Sequence, residues 1–234
     1  MSETSQQQSR LFTKPFAAIA IAQLFSLLGG AILKFVLPLY LLNLSGSATL
    51  YGIVVACAFV PYIFLTPIGG TLADRVNKKY IMAVLDLVMA ASAVAYIVLA
   101  QTADLVVVTI VILMLLYAAQ SVYQPTIQSS VPSVVAYDRI PSATAIVTQV
   151  SALTGLVGPV VGGLVFGFFG VMPIAIVSAV AFLVSSGLIV AFVKIPVAEH
   201  RSAGNPLSTL KSDIKDAASF LKKNPIMWKT ILLP

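Results

Sequence analysis

The sequence predicts an all-α membrane protein, a bundle of six transmembrane helices, and three observations carry that prediction. The chain is 59% hydrophobic and only 9% charged, with a mean hydropathy of +1.00. A soluble domain carries about a quarter charged residues, so this inventory cannot cover a water-facing surface. Six apolar runs are each long enough to cross a hydrocarbon core of about 30 Å, which takes roughly 20 helical residues. The polar turns between them carry Lys and Arg only at every second turn, as in a chain that crosses a bilayer repeatedly.

The first run, Phe16–Leu42, stops at Asn43-Leu44-Ser45-Gly46-Ser47, a cluster of turn formers. The second, Leu50–Leu72, runs into the charged stretch Gly70–Lys79. The third, Tyr80–Ala100, is closed by Gln101-Thr102-Ala103-Asp104. The fourth, Leu105–Tyr123, is expected to end before a proline-bounded loop from Pro125 to Pro141. The fifth and sixth, Ala143–Phe166 and Val171–Val193, are separated by Gly167-Phe168-Phe169-Gly170. Pro38, Pro61, Pro67 and Pro159 fall inside spans, where neighbouring helices can satisfy the backbone groups that proline releases.

Charge placement sets the orientation. Arg10, Lys14, Arg75, Lys78, Lys79, Arg139 and the tail from Lys194 all lie on one side, whereas the opposite loops hold Asp104 and no Lys or Arg. Both termini are therefore expected in the cytoplasm of a cell whose plasma (inner) membrane the chain spans. The same distribution explains the net charge of +6 without nucleic acid, because the basic residues sit in inter-span loops and the tail rather than on one binding face. Cys57 is the single cysteine, so no intrachain disulfide can form. The first apolar run is too long for the core of a cleavable signal. His200 is the single histidine and has no ligand companions, and no phosphate-cradling Gly-rich loop with a Lys is present. Neither an enzyme nor a bound cofactor or metal is expected.

The expected organisation is a cytoplasmic segment over 1–15, the bundle over 16–193, a cytoplasmic linker over 194–224 and the start of a seventh span over 225–234. Within the linker, Asn205 and Pro206 can open a helix in which Leu207, Leu210, Ile214, Ala218 and Leu221 recur on one face, suited equally to a membrane surface and to a solvated linker. Trp228 followed by an apolar run resembles a span entering the bilayer, cut off before it can cross. There is also an internal echo. Ser47-Ala48-Thr49 precedes a span ending Pro67-Ile68-Gly69-Gly70, and Ser142-Ala143-Thr144 precedes one containing Pro159-Val160-Val161-Gly162-Gly163. Three-helix repeats inside six-helix halves are a transporter pattern.

Between the second and third spans, Gly70-Thr71-Leu72-Ala73-Asp74-Arg75-Val76-Asn77-Lys78-Lys79 resembles the signature loop of the major facilitator superfamily, Gly-x-Leu-Ala-Asp-Arg-x-Gly-Arg/Lys-Arg/Lys. Asn77 stands where that signature has glycine, and Asn tolerates the left-handed conformation a tight turn there would need. On the fifth span, Gly158-Pro159-x-x-Gly162-Gly163 is similar to the core of the family's antiporter signature, although Thr154 with Gly155 beside it departs from the upstream glycines. Gly158/Gly162 and Gly163/Gly167 are also GxxxG pairs that let a neighbouring helix approach closely. On the fourth span, Tyr117-Ala118-Ala119-Gln120-Ser121 resembles the family's Arg-x-x-Gln-Gly element linked to proton coupling, with Tyr117 in place of the arginine. With Pro125-Thr126-Ile127-Gln128 and Asp138-Arg139 downstream, the chain looks like the branch holding macrolide-efflux-like and siderophore exporters.

The resemblance implies the N-terminal half of a twelve-helix fold with 3+3 inverted repeats. It implies secondary transport, namely export of amphiphilic small molecules such as drugs, with the proton gradient as energy source. The partners it implies are the bilayer, the substrate, and either a C-terminal half or a second copy of the chain. The alternatives are a siderophore or metabolite exporter, or a membrane remnant or assembly partner that transports nothing. Gly70, Asp74, Arg75, Lys78 and Lys79 would form one side of a conformational latch, with Asp86 pairing to Arg75 or Lys79 to stiffen it and direct proton carriage by Asp86 as the lesser alternative. A charge inside a span costs roughly 2.5–3.5 kcal/mol on insertion scales and should face protein or water. Lys34 can therefore bind an anionic group, compete with a proton, or snorkel to the outer interface. Gln23, Gln120, Gln124 and Gln149, with Tyr117, are hydrogen-bonding candidates for a substrate or proton pathway.

Overall fold

The computed structural model describes residues 13–193, with positions 67, 68 and 70–75 described by backbone alone. The expected segments at the two ends, including the linker helix and the start of a seventh span, lie outside the described residues. Among the described residues, six helices are long and apolar enough to cross a membrane. They are α1 (Lys14–Ser45), α2 (Ala48–Arg75), α3 (Lys78–Leu99), α4 (Leu105–Val134), α5 (Ile140–Phe169) and α6 (Val171–Phe192). A short 3-10 turn, Tyr137–Arg139, links α4 to α5, and no strand occurs among the described residues.

Local chemistry places the helix ends. Thr13 caps α1, its hydroxyl oxygen accepting from the Phe16 amide at 3.3 Å while donating to the Val134 carbonyl at 3.0 Å. One side chain thus fastens the start of α1 to the end of α4. Gly46 closes α1 in the left-handed region at φ 66°, where a side chain would be strained. Asp104 caps α4 through the amides of Val106 and Val107, at 2.9 and 3.2 Å.

Two expected loops are helical. α4 continues through Pro125 and Pro132 to Val134, so the stretch expected as a loop from Pro125 to Pro141 is reduced to the residues around the 3-10 turn. Each proline removes a single helical hydrogen bond, and hydroxyls nearby bond other carbonyls of the same helix. Thr126 donates to Val122 O at 2.7 Å and Ser130 to Thr126 O at 2.6 Å. Likewise α2 extends to Arg75, so most of the charged signature is helix and only Val76 and Asn77 link it to α3. Asn77 is not left-handed: its φ is −59°, and its side chain caps α3 by accepting from the Lys79 amide at 3.1 Å.

Packing follows a two-part pattern. α1 packs on α5 and α6, α4 packs on α2 and α3, α3 packs on α6, and α1 meets α4. Exchanging α1 with α4, α2 with α5 and α3 with α6 maps this set of contacts onto itself. Each repeat has three helices, so the second enters from the opposite face, which is the 3+3 inverted arrangement. α1 is central, with 61% of its apolar window buried, whereas α2 and α5 bury 11% and 17% of theirs. Phe64, Leu156 and Phe168 accordingly stand exposed on α2 and α5, as apolar residues facing lipid or another apolar surface do.

The echo between the repeats marks their closest contacts. A Cβ on Gly69 of α2 would lie 2.7 Å from Ser121 O and 2.9 Å from Val122 Cα of α4. On α5, a Cβ on Gly158 would lie 2.5 Å from Ala31 Cβ of α1, and one on Gly162 within 3.2–3.3 Å of Val36 and Ile32. The second helix of each repeat thus needs glycine where it meets the first helix of the other. The other GxxxG pair does not behave so: Gly163 has ordinary contact with Phe35 at 3.6 Å, and Gly167 and Gly155 face open space. Their surroundings set no demand for glycine.

Candidate functional site

Ionisable and amide side chains gather in two places on the inner surfaces of α1 and α4. The first is built around Lys34. Its ammonium does not reach for the interface; it donates to Gln120 Oε1 and stands 4.7 Å from the centroid of the Tyr117 ring. Both partners come from α4, one helical turn apart, so that α1 and α4 are bridged by a cation held on an amide oxygen and a π face. Phe59 and Tyr62 of α2 complete the group. The Phe59 ring lies 4.5 Å from that of Tyr117, and Tyr62 stands edge-on to both at 6.3 Å. Lys34, Tyr62, Tyr117 and Gln120 are half-buried and Phe59 is exposed, so the cluster is open to a ligand.

The second place lies one turn along α4. Gln124 Nε2 donates to Ser151 Oγ at 3.2 Å, and Gln23 Nε2 donates both to Ser151 Oγ at 2.9 Å and to Val147 O at 3.1 Å. Ser151 spends its own proton on Val147 O, at 3.0 Å. The arrangement cross-links α1, α4 and α5 through Gln23, which is fully buried. Gln149 is not part of it: the side chain is exposed on α5, away from the other amides.

Asp86 requires a correction. It was expected to pair with Arg75 or Lys79, but it is fully buried between helices and accepts from Ser26 Oγ at 2.6 Å and Ser185 Oγ at 2.5 Å. Tyr123 adds its hydroxyl, 3.4 Å from Ser185 Oγ. α3 is thereby tied to α1 and α6, with α4 behind them. The reason is geometric: Asp86 sits about two turns into α3 on the face that meets α6, whereas the cations occupy the helix end. Ser26, Ser185 and Tyr123 carried no sequence signal alone, although the Ser185-Ser186 pair in an otherwise apolar span was a clue.

The signature residues separate into helix end and helix start. Gly70, Asp74 and Arg75 lie on the last turns of α2 and Lys78 and Lys79 open α3. Lys78 donates to the Ser129 carbonyl of α4 at 2.5 Å, tying the start of α3 to α4. Lys14, Lys78, Lys79 and Arg139 all lie at this one end of the bundle, at the start of α1 and at the α2–α3 and α4–α5 connections.

Comparison with known proteins decides the family. The profile of the Major Facilitator Superfamily matches residues 19–234. The chain belongs to the major facilitator superfamily. It is also 23% identical over 219 residues to macrolide efflux protein A of Streptococcus pyogenes, and equally to the protein of that name from serotype M6. Each alignment covers 93% of this chain and 54% of the relative, so the chain spans about half the length of the curated relatives it matches. Six membrane-length helices in this family make it an integral, multi-pass membrane protein with the architecture of half the family's fold.

Proposed function

We propose that the chain is the N-terminal six-helix half of a secondary active transporter that exports amphiphilic small molecules, drugs among them, across the plasma membrane at the expense of the proton gradient. Both termini face the cytoplasm in this reading, since all the basic loops share one end. The observation that carries it is Lys34: a cation inside the membrane is expensive, and this one is turned inward onto Gln120 and Tyr117 rather than outward to the interface. Transporter sites form near the midplane between two halves, and the open aromatic cluster on α1, α2 and α4 suits one wall of such a site.

The two intramembrane charges divide the work. Lys34 and its aromatic neighbours meet the substrate. Asp86, sealed among Ser26, Ser185 and Tyr123, takes the proton. As a carboxylate it accepts two hydrogen bonds; as an acid it must donate one itself, so one of its ties to α1 or α6 reverses on protonation. The end of α2 and start of α3, with Asp74, Arg75 and Lys79, then latches one conformation against the second half or a second copy of the chain. Similarity to proteins named for macrolide efflux supports the export direction and the amphiphilic substrate class.

The test is flux from proteoliposomes holding the protein expressed from its whole reading frame. An imposed pH gradient should accelerate uptake of amphiphilic drugs into vesicles of the inverted orientation, and Asp86→Asn should remove the acceleration. Gradient-independent leakage equal to that of empty vesicles would sink the transport reading and favour a membrane remnant or assembly partner.

A further inference from the structure

The charge around Lys34 is one-sided. Lysine carries three N–H donors, and one is used on Gln120 Oε1. Among the described residues, the phenol hydroxyls of Tyr117 and Tyr62 have no hydrogen-bond partner, although both side chains are half-buried at the membrane interior. Gln120 Oε1 is engaged by the lysine, and among the side chains of the group there is no carboxylate to neutralise the ammonium. What remains for a ligand is therefore two ammonium N–H groups and two phenol hydroxyls, all able to donate. The charge is positive, and Asp86, the acid in the neighbouring core, is occupied by Ser26 and Ser185. Beside the donors stand the rings of Phe59, Tyr62 and Tyr117, with Tyr62 edge-on to the other two and the Phe59–Tyr117 pair at 4.5 Å. An edge-to-face cluster offers further ring edges and faces to a planar guest.

We propose that Lys34, Tyr117, Tyr62 and Phe59 form a subsite for the acidic end of an aromatic amphiphile, a carboxylate or phenolate attached to a planar ring. The inference rests on the transport reading and narrows its substrate class. The anion takes the free N–H groups of Lys34 and the phenol hydroxyls, and the ring packs on Phe59. A neutral or cationic head group fits worse: a cation is repelled by Lys34, and a neutral group gains no charge pairing with it. Burial from water makes the discrimination large, because an unmet charge in a low-dielectric site has no other partner. The inside-negative membrane potential also favours outward movement of an anion.

The experiment is equilibrium dialysis of the full chain in lipid nanodiscs against three probes of one shape: 2-naphthylacetate, its primary amide and 2-naphthylethylammonium. The expected result is that the acid binds at least tenfold more tightly than the amide and that the ammonium binds weakest. Lys34→Gln should bring acid and amide to equal affinity, and Lys34→Arg should keep the preference. Phe59→Leu should weaken acid and amide alike, reporting ring packing separately from charge. Equal binding of acid and amide to the unaltered chain, persistence of the preference in Lys34→Gln, or no binding of any probe would each overturn the proposal. The assay contains no gradient and no transport step. Failed selectivity with intact flux removes this inference alone, and selective binding without flux removes the transport reading alone.

Discussion

The carbonyl oxygen of Ser121 is the one that Pro125 releases from the α4 helix ladder, and it lies against the backbone of Gly69 on α2. A proline on one helix and a glycine on another thus act as a pair. The proline frees an acceptor, and the glycine allows a helix backbone close enough for a weak Cα–H donor to meet it.

Gly69→Ala is therefore expected to destabilise the bundle by about 1–3 kcal/mol, the range for overpacking a tight contact. The added carbon would sit 2.7 Å from that oxygen, which belongs to backbone and cannot swing away. Gly52→Ala on the same helix meets nothing within 4 Å and should be neutral or mildly stabilising. Thermal melts of the detergent-solubilised chain, followed by fluorescence-detected size exclusion, compare the two. Equal melting temperatures would show that α2 and α4 can separate freely at this point.

The corresponding contact on α5 allows a rescue. Gly158→Ala would press a methyl to 2.5 Å from Ala31 Cβ, and it should lower the melting temperature as Gly69→Ala does. Adding Ala31→Gly removes the opposing methyl and should restore most of the loss. Gly167→Ala, in open space, should gain up to about 1 kcal/mol from helix propensity. If Gly158→Ala proves harmless or Ala31→Gly fails to rescue it, the contact between α5 and α1 is not where the structure puts it.

Asp86 joins stability to coupling. Asp86→Ala leaves the hydroxyls of Ser26 and Ser185 without their acceptor and should cost about 1–3 kcal/mol. Asp86→Asn keeps one acceptor and offers a donor to the other serine, so it should fold nearly as well as the parent. In flux measurements the asparagine variant should retain downhill exchange and lose its response to a pH gradient. An Asp86→Asn protein that still responds to the gradient would place the proton elsewhere.

Much of this fold was legible because bilayer physics leaves few choices. Six apolar runs required six helices, and Gly46 and Gly170, both at positive φ, marked two of the turns between them. What misled was proline and asparagine chemistry taken from soluble proteins. Pro125 and Pro132 read as a loop, yet inside a bundle helix is retained, with the Ser121 carbonyl that Pro125 releases packed against Gly69. In the candidate site, Lys34 stood out as a charge inside a span and Tyr117 and Gln120 through the family resemblance of the fourth span, but nothing said that they would meet. That depended on the α1–α4 crossing, which no local pattern encodes. Asp86 was misassigned for the same reason: its partners lie on α1 and α6, while its nearest cations in sequence lie at the helix end. Gln149 shared its residue type with Gln23 and Gln124 but not their face of the bundle.

Asn77 provides the last test, since two readings of one residue order its variants differently. If the position needed a left-handed backbone, glycine would be the best replacement and serine among the worst. The backbone is instead at φ −59° with the side chain accepting from the Lys79 amide, which makes Asn77 an N-cap. Asn77→Ser should then be nearly silent and Asn77→Gly should cost a few tenths of a kcal/mol. Asn77→Ala should cost about 0.5–2 kcal/mol, since no side-chain oxygen is left for the α3 amide. The same melts read the order directly. Because α3 begins at Lys78, which holds the α4 carbonyl of Ser129, fraying at this cap should also loosen the lysine. Asn77→Ala should therefore add little further loss when combined with Lys78→Ala. Full additivity of the two would separate the cap from the α3–α4 tie.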